Sequence, residues 1–178
     1  MALNVRKLVI TALGIAFVAV LVFAVRVPIP ATGGFTHPGA VAEIFVALAF
    51  GPLVGALAAG LGAAIADLLA GYASFAPLTL LAHGALGLIA GSLGWRRGMA
   101  SMLAGWVLGG LALVVVYFTG EATIYGFGTQ AALAEVPINL IQVGLGLLGL
   151  LLFQQVRRAY PPIETMADEQ SFEELDSP

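Results

Sequence analysis

The sequence predicts an all-α integral membrane protein, a bundle of six transmembrane helices with both the N and the C terminus in the cytoplasm. Of its 178 residues, 60% are hydrophobic and 10% are charged, whereas a soluble domain is about one-quarter charged. A soluble fold of this size could not bury so many apolar side chains. Most of the basic residues lie at the ends of apolar stretches, so there is no basic face for nucleic acid. The lack of cysteine excludes disulfides and thiolate metal sites.

Six apolar stretches define the predicted spans. The first, residues 8–25, is longer than the apolar core of a usual signal peptide, so we interpret it as a retained span. The others cover residues 40–50, 52–66, 77–93, 99–118 and 131–156. We expect the second and third to be short, tilted and joined at Gly51 and Pro52, because proline removes a backbone donor and disfavours helical geometry in the residue before it.

The distribution of basic residues supports six spans over five. Basic residues prefer the cytoplasmic side of a membrane. With six spans, six of the seven Lys and Arg residues are cytoplasmic and one, Arg26, is external. With five spans, two would be inside and five outside. We therefore expect a multi-pass protein of the plasma or inner membrane.

The chain divides into a six-helix membrane domain, residues 1–160, and an acidic tail, residues 161–178. The composition of the tail predicts disorder in the cytoplasm. Residues 26–38 form an external loop rich in proline and glycine. Val27, Ile29 and Phe35 give this loop enough apolar surface to fold over another part of the protein.

Polar side chains within the predicted spans fall mainly in the outer half of the membrane. Glu135, Asn139 and Gln142 are spaced i, i+4, i+7 and therefore share one helix face. An ionisable group in mid-membrane costs ~2.5–3.5 kcal/mol, so such groups face a cavity or a partner. With Tyr117 and Tyr125 nearby, this stripe indicates a site for a small polar heterocycle or ring alcohol. The alternative is structural, in which polar groups such as Glu43, Asp67 and His83 satisfy one another between helices.

The inner half of the predicted bundle instead holds small residues at four-residue spacing. Such pairs let helix backbones approach closely in lipid, and internal packing explains most of them: Gly51/Gly55, Gly87/Gly91 and Gly105/Gly109. The pair Ala12/Ala16 on the first span could instead contact a partner membrane protein.

Several motifs together resemble the substrate-binding S component of energy-coupling factor (ECF) vitamin transporters. They are TGGFTHPG in the first external loop, GPLVGALAAGLGAAIADLL through spans two and three, APLT at the start of span four, and VPINLIQVGLG in the last span. The resemblance covers about residues 10–158. It implies a six-helix fold that binds a vitamin or vitamin precursor near the outer face, between the first external loop and spans four to six.

This implied site coincides with the polar residues found above. The candidate substrate-binding residues are Phe35, Thr79, His83, Tyr117, Glu121, Tyr125, Glu135, Asn139 and Gln142. The resemblance also implies that two ATPases and a coupling membrane protein, on other chains, supply the energy. In the family an AxxxA pattern on the first helix meets the coupling protein, and residues 12–16 (ALGIA) match it. No GxxxxGK[ST] sequence occurs in this chain.

The nature of the substrate follows in part from charge. The predicted site has no obvious internal Arg or Lys, and an anionic substrate would need one. A neutral or cationic ring is favoured, such as hydroxymethylpyrimidine, a thiamine precursor, or a ring like riboflavin. We expect no cofactor and no metal ion.

Two other functions compete with transport. One is a structural membrane scaffold with a similar helical arrangement and no ligand. The other is an intramembrane hydrolase, but no GxSxG sequence is present, and Ser74, on the same side of the membrane as His83, has no oxyanion motif. We therefore expect a protein that is not an enzyme.

Overall fold

The computed structural model describes residues 5–167 and contains six α-helices and one short β-hairpin. In chain order these are α1 (Val5–Ala24), β1 (Val27–Ile29), β2 (Gly34–Thr36), α2 (Ala40–Phe50), α3 (Pro52–Ala70), α4 (Ala76–Gly94), α5 (Met99–Thr119) and α6 (Thr129–Ala159). A π-helical turn, Gly120–Ile124, extends α5, and a 3₁₀-helix, Pro161–Thr165, follows α6.

The predicted six-helix membrane fold is confirmed. Five of the helices are long and apolar enough to cross a membrane, and α2 is a shorter apolar helix of 11 residues. The prediction that the third helix is short was wrong, because α3 has 19 residues and continues past Asp67 to Ala70. Asp67 is buried in the last turns of α3.

The joint between α2 and α3 lies where the sequence predicts it. Gly51 has φ +88°, a conformation that disfavours other residues, and Pro52 is the first residue of α3. A methyl group at Gly51 would also lie 2.9 Å from the indole ring of Trp95. Glycine at this joint therefore serves both the backbone turn and the close approach of the α4–α5 connection.

Small residues bring α3, α4 and α5 into close contact. A methyl group at Gly91 would lie 2.6 Å from Cα of Pro52, and one at Gly109 would lie 2.8 Å from the carbonyl oxygen of Leu86. Large side chains at these glycine positions would hold the backbones of neighbouring helices further apart. Five glycines of the predicted pairs thus lie at helix–helix contacts, and the sixth, Gly51, lies at the α2–α3 joint: the five are Gly55, Gly87, Gly91, Gly105 and Gly109.

The N-terminal helix lies at the edge of the bundle. α1 buries Gly14, Val18 and Val22 against α2 and α3, while its other face remains exposed. A methyl group at Gly62 on α3 would lie 2.7 Å from Cβ of Val18, so this contact is also close.

The start of the tail, which the sequence predicts to be disordered, is folded against the membrane domain. Ile163 is 6% exposed and joins the hydrophobic core beside Phe153. The guanidinium group of Arg96 donates a hydrogen bond of 2.9 Å to the carbonyl oxygen of Glu164. The acidic composition of the tail does not predict the apolar contact that holds residues 161–167 in place. The rest of the predicted tail, residues 168–178, lies outside the described residues.

The arginines predicted to be cytoplasmic meet at this same end of the bundle. Arg157 donates to the carbonyl oxygen of Arg97 at 3.2 Å, and its guanidinium lies 3.6 Å from the carboxylate of Glu164. The hairpin lies at the opposite end, where α1 ends and α2 begins. The bundle therefore has one basic end and one end covered by the hairpin.

The hairpin pairs β1 and β2 in antiparallel register, with Val27 opposite Thr36 and Ile29 opposite Gly34. Ile29 is buried, and Phe35 packs against Tyr72 with ring centroids 4.7 Å apart. The external loop thus folds over the bundle, as its apolar residues indicate.

Candidate ligand-binding site

A cavity lies beneath the hairpin, among the ends of α3, α4, α5 and α6. It contains about 380 Å³ of space not occupied by atoms, including a part open to solvent. Eleven residues line it: Gly34, Phe35, His37, Asp67, Phe75, Thr79, Tyr117, Glu121, Glu135, Asn139 and Gln142. None of these lining residues is Arg or Lys.

Most of the candidate residues line this cavity. The seven that do so are Phe35, Thr79, Tyr117, Glu121, Glu135, Asn139 and Gln142. The structure does not place His83 and Tyr125 in the lining. His83 is turned to Glu43 on α2, and Tyr125 stacks against Phe75.

The polar stripe on α6 forms one side of the cavity. Glu135, Asn139 and Gln142 are each buried, and all three reach the cavity from one helix face, as their spacing predicts. Pro137 lies inside the helix between them. A proline at this position removes the hydrogen bond to the carbonyl four residues earlier, so the helix is weakened next to the cavity.

Two side-chain hydrogen bonds connect the hairpin to α6. The hydroxyl of Thr32 donates to the carboxylate of Glu135, and the hydroxyl of Thr36 donates to the amide oxygen of Gln142 at 2.7 Å. Phe35 lies between these two threonines, with its ring near His37. The hairpin is therefore held over the cavity by the same residues that line it.

Glu121 reaches the cavity from the π-helical turn that follows α5. Single π-helical turns often occur at functional sites. Glu121 is 1% exposed, and neither of its carboxylate oxygens has a hydrogen-bond partner among residues 5–167. The amide nitrogen of Asn139 also lacks one in that part of the chain. Buried polar groups are normally hydrogen-bonded, so these two side chains are available to a ligand.

Aromatic side chains also line and support the cavity. Phe75, Tyr125 and Phe127 form a cluster with ring centroids 5.7–5.9 Å apart, and the hydroxyl of Tyr125 donates to the carbonyl oxygen of Ser74. Because Phe75 lines the cavity, Tyr125 acts as its support rather than as a lining residue. The hydroxyl of Tyr117 donates to Thr79 Oγ1 at 2.9 Å, which orients both groups.

Four lining residues were missed by the sequence prediction: Gly34, His37, Asp67 and Phe75. Gly34 and His37 flank the predicted Phe35 in the TGGFTHPG motif, and Asp67 had already been noted as a buried polar residue. Phe75, directly before the APLT motif, gave no signal of its own.

His37 is a neutral hydrogen-bond acceptor in this environment. The backbone N–H of Gly39 donates to His37 Nδ1 at 3.2 Å. Burial, and secondly the neighbouring His83, hold the pKa of His37 well below its usual value of 6.5. The proton of the neutral ring therefore lies on Nε2. Among residues 5–167, no group of three or more His, Asp or Glu side chains is placed to hold a metal ion.

Comparison with known proteins identifies the family. A family model described as "ECF-type riboflavin transporter, S component" matches residues 2–158. This chain belongs to that S-component family.

Two known proteins align with most of this S component. The thiamine precursor transporter HmpT of Lactococcus lactis subsp. cremoris is 30% identical over 149 residues, covering 80% of this chain and 82% of the relative. An uncharacterised protein of Pyrococcus woesei is 38% identical over 135 residues, covering 74% of this chain and 87% of that protein.

A solved structure of the S component of a bacterial ECF transporter has the same fold. Its TM-score with this S component is 0.69 at 19% sequence identity, and the match covers 86% of this chain and 96% of the other. The resemblance found in the sequence is thus confirmed, and the protein is a multi-pass membrane transport subunit, not an enzyme. S components bind small vitamin-like substrates and work with a membrane coupling protein and ATPases.

Proposed function

We propose that this S component is the high-affinity binding subunit for uptake of a small, ring-shaped vitamin precursor such as hydroxymethylpyrimidine. One observation carries the proposal: the amide nitrogen of Asn139 is buried in the cavity without a partner in the described chain, and the buried carboxyl group of Glu121 faces only that of Glu135. A ligand that fills the cavity would supply the donors and acceptors that these groups lack.

The charge of the lining favours a neutral or cationic ligand. Glu121 and Glu135 both line the cavity, and Arg and Lys are absent from its lining. An anionic vitamin would meet carboxylates and no cation to pair with. A ring that carries an amino group or a protonated nitrogen can donate to the carboxylates and accept from the Asn139 amide.

The remaining lining suits a flat ring. Phe35, Phe75 and Tyr117 offer aromatic surface to the cavity. Ligand sites commonly combine such surface with a few polar groups that fix orientation.

The relatives suggest which ring the cavity binds, since its 380 Å³ of space not occupied by atoms includes a part open to solvent and sets no limit on ligand size. HmpT, one of the relatives, is described as a thiamine precursor transporter, which agrees with a pyrimidine. A ligand like riboflavin is the second candidate, because the matching family model carries that description.

We also propose that α1 contacts the coupling protein of a separate energising module with two ATPases, in the plasma membrane. Ala12 and Ala16 are exposed, whereas Gly14 and Val18 of the same helix are buried. Successive α-helical residues are separated by about 100°, so the two alanines lie on the face opposite the bundle contact. Their small side chains leave room for a close helix–helix approach.

A ligand panel tests the proposed substrate class. Purified protein in detergent would be titrated calorimetrically with hydroxymethylpyrimidine, thiamine, riboflavin and, as an anionic control, pantothenate. We expect hydroxymethylpyrimidine to bind most tightly and pantothenate not to bind. Binding of pantothenate alone would contradict the charge argument. Failure of every compound would contradict the proposed substrate class.

A further inference from the structure

Two buried ionisable side chains lie beside the cavity without lining it. Glu43 on α2 and His83 on α4 are both 0% exposed, and Glu43 Oε1 lies 2.9 Å from His83 Nδ1. We propose that Glu43 and His83 are positioning residues for the ligand site, which hold the cavity-lining side chains of His37 and Tyr117 in place. The inference rests on the proposed function, because it concerns the same cavity.

The imidazole of His83 contacts side chains that line the cavity from two different elements. Its ring centroid lies 5.3 Å from that of His37, which follows the hairpin, and 5.9 Å from that of Tyr117 on α5. Tyr117 in turn donates to Thr79, one turn before His83 on α4. A rotation of the His83 ring would therefore disturb the hairpin and α5 together.

Gly39 allows the hairpin to approach this pair closely. A methyl group there would lie 2.8 Å from His37 Nδ1 and 3.1 Å from Glu43 Oε1. Any larger residue at this position would collide with His37 and with Val22, whose Cγ2 would lie 2.6 Å from the methyl group. Since the Gly39 N–H also binds His37 Nδ1, the start of α2 and the end of the hairpin meet at the pair.

Stability alone is a poor explanation for the pair. An ionisable group inside a membrane costs ~2.5–3.5 kcal/mol, and a buried ion pair often contributes no more stability than apolar residues of equal volume. Glu43 Oε2 and His83 Nε2 also have no hydrogen-bond partner among the described residues. Buried, incompletely satisfied groups of this kind are characteristic of functional sites in membranes.

Other ionisable groups surround the pair on the remaining sides. They are His37 from the loop after β2, Asp67 from α3, Tyr117 from α5 and, beyond Tyr117, Glu135 from α6. A change in the charge or orientation of His83 therefore acts directly on His37 and Asp67, which line the cavity from the hairpin side and from α3.

Substitution of Glu43 tests the proposal through ligand affinity. Loss of a supporting partner behind a binding residue typically costs about 10–100-fold in affinity where it has been measured for metal sites. We expect Glu43→Ala to weaken binding of hydroxymethylpyrimidine, or of riboflavin if only that compound binds, by a factor in this range. Glu43→Gln keeps an oxygen that accepts from His83 Nδ1, so it should recover part of the loss.

A matched control lies at the other end of the bundle. Gln154 on α6 is also buried, and its amide donates to the sulfur of Met102 at 2.8 Å, far from the cavity. Gln154→Leu should leave ligand affinity unchanged, even if it changes the melting temperature. An equal loss of affinity in Gln154→Leu and Glu43→Ala would overturn the proposal, because any buried polar change would then act alike.

A spectroscopic measurement on the unaltered protein separates positioning from a purely structural role. The chain contains two histidines, so ¹⁵N-histidine labelling gives four ring-nitrogen signals. Ligand addition should shift the His83 signals as well as those of His37, although His83 does not line the cavity. Unmoved His83 signals together with wild-type affinity in Glu43→Ala would overturn the proposal. If the unaltered protein binds nothing from the panel, the proposed function itself has failed.

Discussion

Replacing Gly91 with alanine should destabilise the protein, whereas the same change at Gly84, two turns earlier on α4, should not. A methyl group at Gly91 would lie 2.6 Å from Cα and 2.8 Å from the nitrogen of Pro52, the first residue of α3. A carbon–carbon contact is normally about 3.5–4.0 Å. The backbones of α3 and α4 would therefore have to separate locally by about 1 Å.

Gly84 provides a control on the same helix. A methyl group there would meet its nearest atoms at ordinary distances, 3.8 Å from the Ala56 carbonyl oxygen and 4.0 Å from Cα of Gly60. Alanine is favoured over glycine in a helix by about 1 kcal/mol at either position. This contribution cancels when the two variants are compared, so their difference measures the cost of the α3–α4 overlap.

The expected effect is a difference in melting temperature between Gly91→Ala and Gly84→Ala. Inserting a methyl group into a closely packed contact costs about 1–3 kcal/mol, and the obstacle at Gly91 is backbone, which cannot rotate away. At about 2–4 °C per kcal/mol for a chain of this size, Gly91→Ala should melt about 2–12 °C below Gly84→Ala. Both variants would be heated in the same detergent, and the surviving monomer measured by size-exclusion chromatography. If Gly91→Ala melts at or above Gly84→Ala, the close α3–α4 contact does not exist as described.

Three further predictions concern the site and its partners. Asn139→Ala and Glu121→Ala should each weaken ligand binding about 3–10-fold, because each removes one buried hydrogen-bonding group from the cavity; calorimetry with unchanged affinity in both would refute the site. Ala12→Trp should preserve binding but abolish uptake into cells, while Leu13→Trp, which places the same side chain one residue along, should retain uptake; transport by Ala12→Trp would exclude α1 as the docking face. Because burial depresses the pKa of His37, the unfolded chain takes up a proton below pH 6.5 that the folded chain does not. The melting temperature should therefore fall as the pH is lowered from 7.5 to 5.5, and this fall should be smaller in His37→Asn. An equal fall in the variant and the unaltered protein would contradict the prediction.

The helix count and the polar stripe of α6 could be predicted because each depends on a repeated pattern. Apolar runs bounded by arginines mark the membrane spans, and three polar side chains at helical spacing share a face wherever the helix lies. Gly51 and Pro52 predicted the α2–α3 joint for a local reason, since neither residue favours an uninterrupted helix.

Other features depended on contacts that no sequence pattern displays. Thr79 and His83 are one turn apart on α4, so the sequence placed both in the site. Only Thr79 lines the cavity, because His83 pairs with Glu43, a residue 40 positions earlier in the chain. The hairpin strands have three residues each, too few to show a period of two.

The tail shows how composition can mislead. Its acidic residues predict disorder, yet Ile163 packs into the core and Arg96 binds the carbonyl of Glu164. The contacts of one apolar side chain and one guanidinium group fold residues 161–167 onto the bundle, although the average composition of the segment is acidic and polar.

The shortness of α2 has a consequence for the thickness of the protein. Eleven residues of helix extend about 16 Å, against a hydrocarbon layer of about 30 Å. The 3₁₀-helix after α6 contacts α2 and so fills part of the missing depth on the arginine-rich side. A chain ending at residue 160 would leave a hollow in that leaflet. The bilayer would then have to become thinner around this hollow, at a cost of fractions of a kcal/mol per ångström of hydrophobic mismatch.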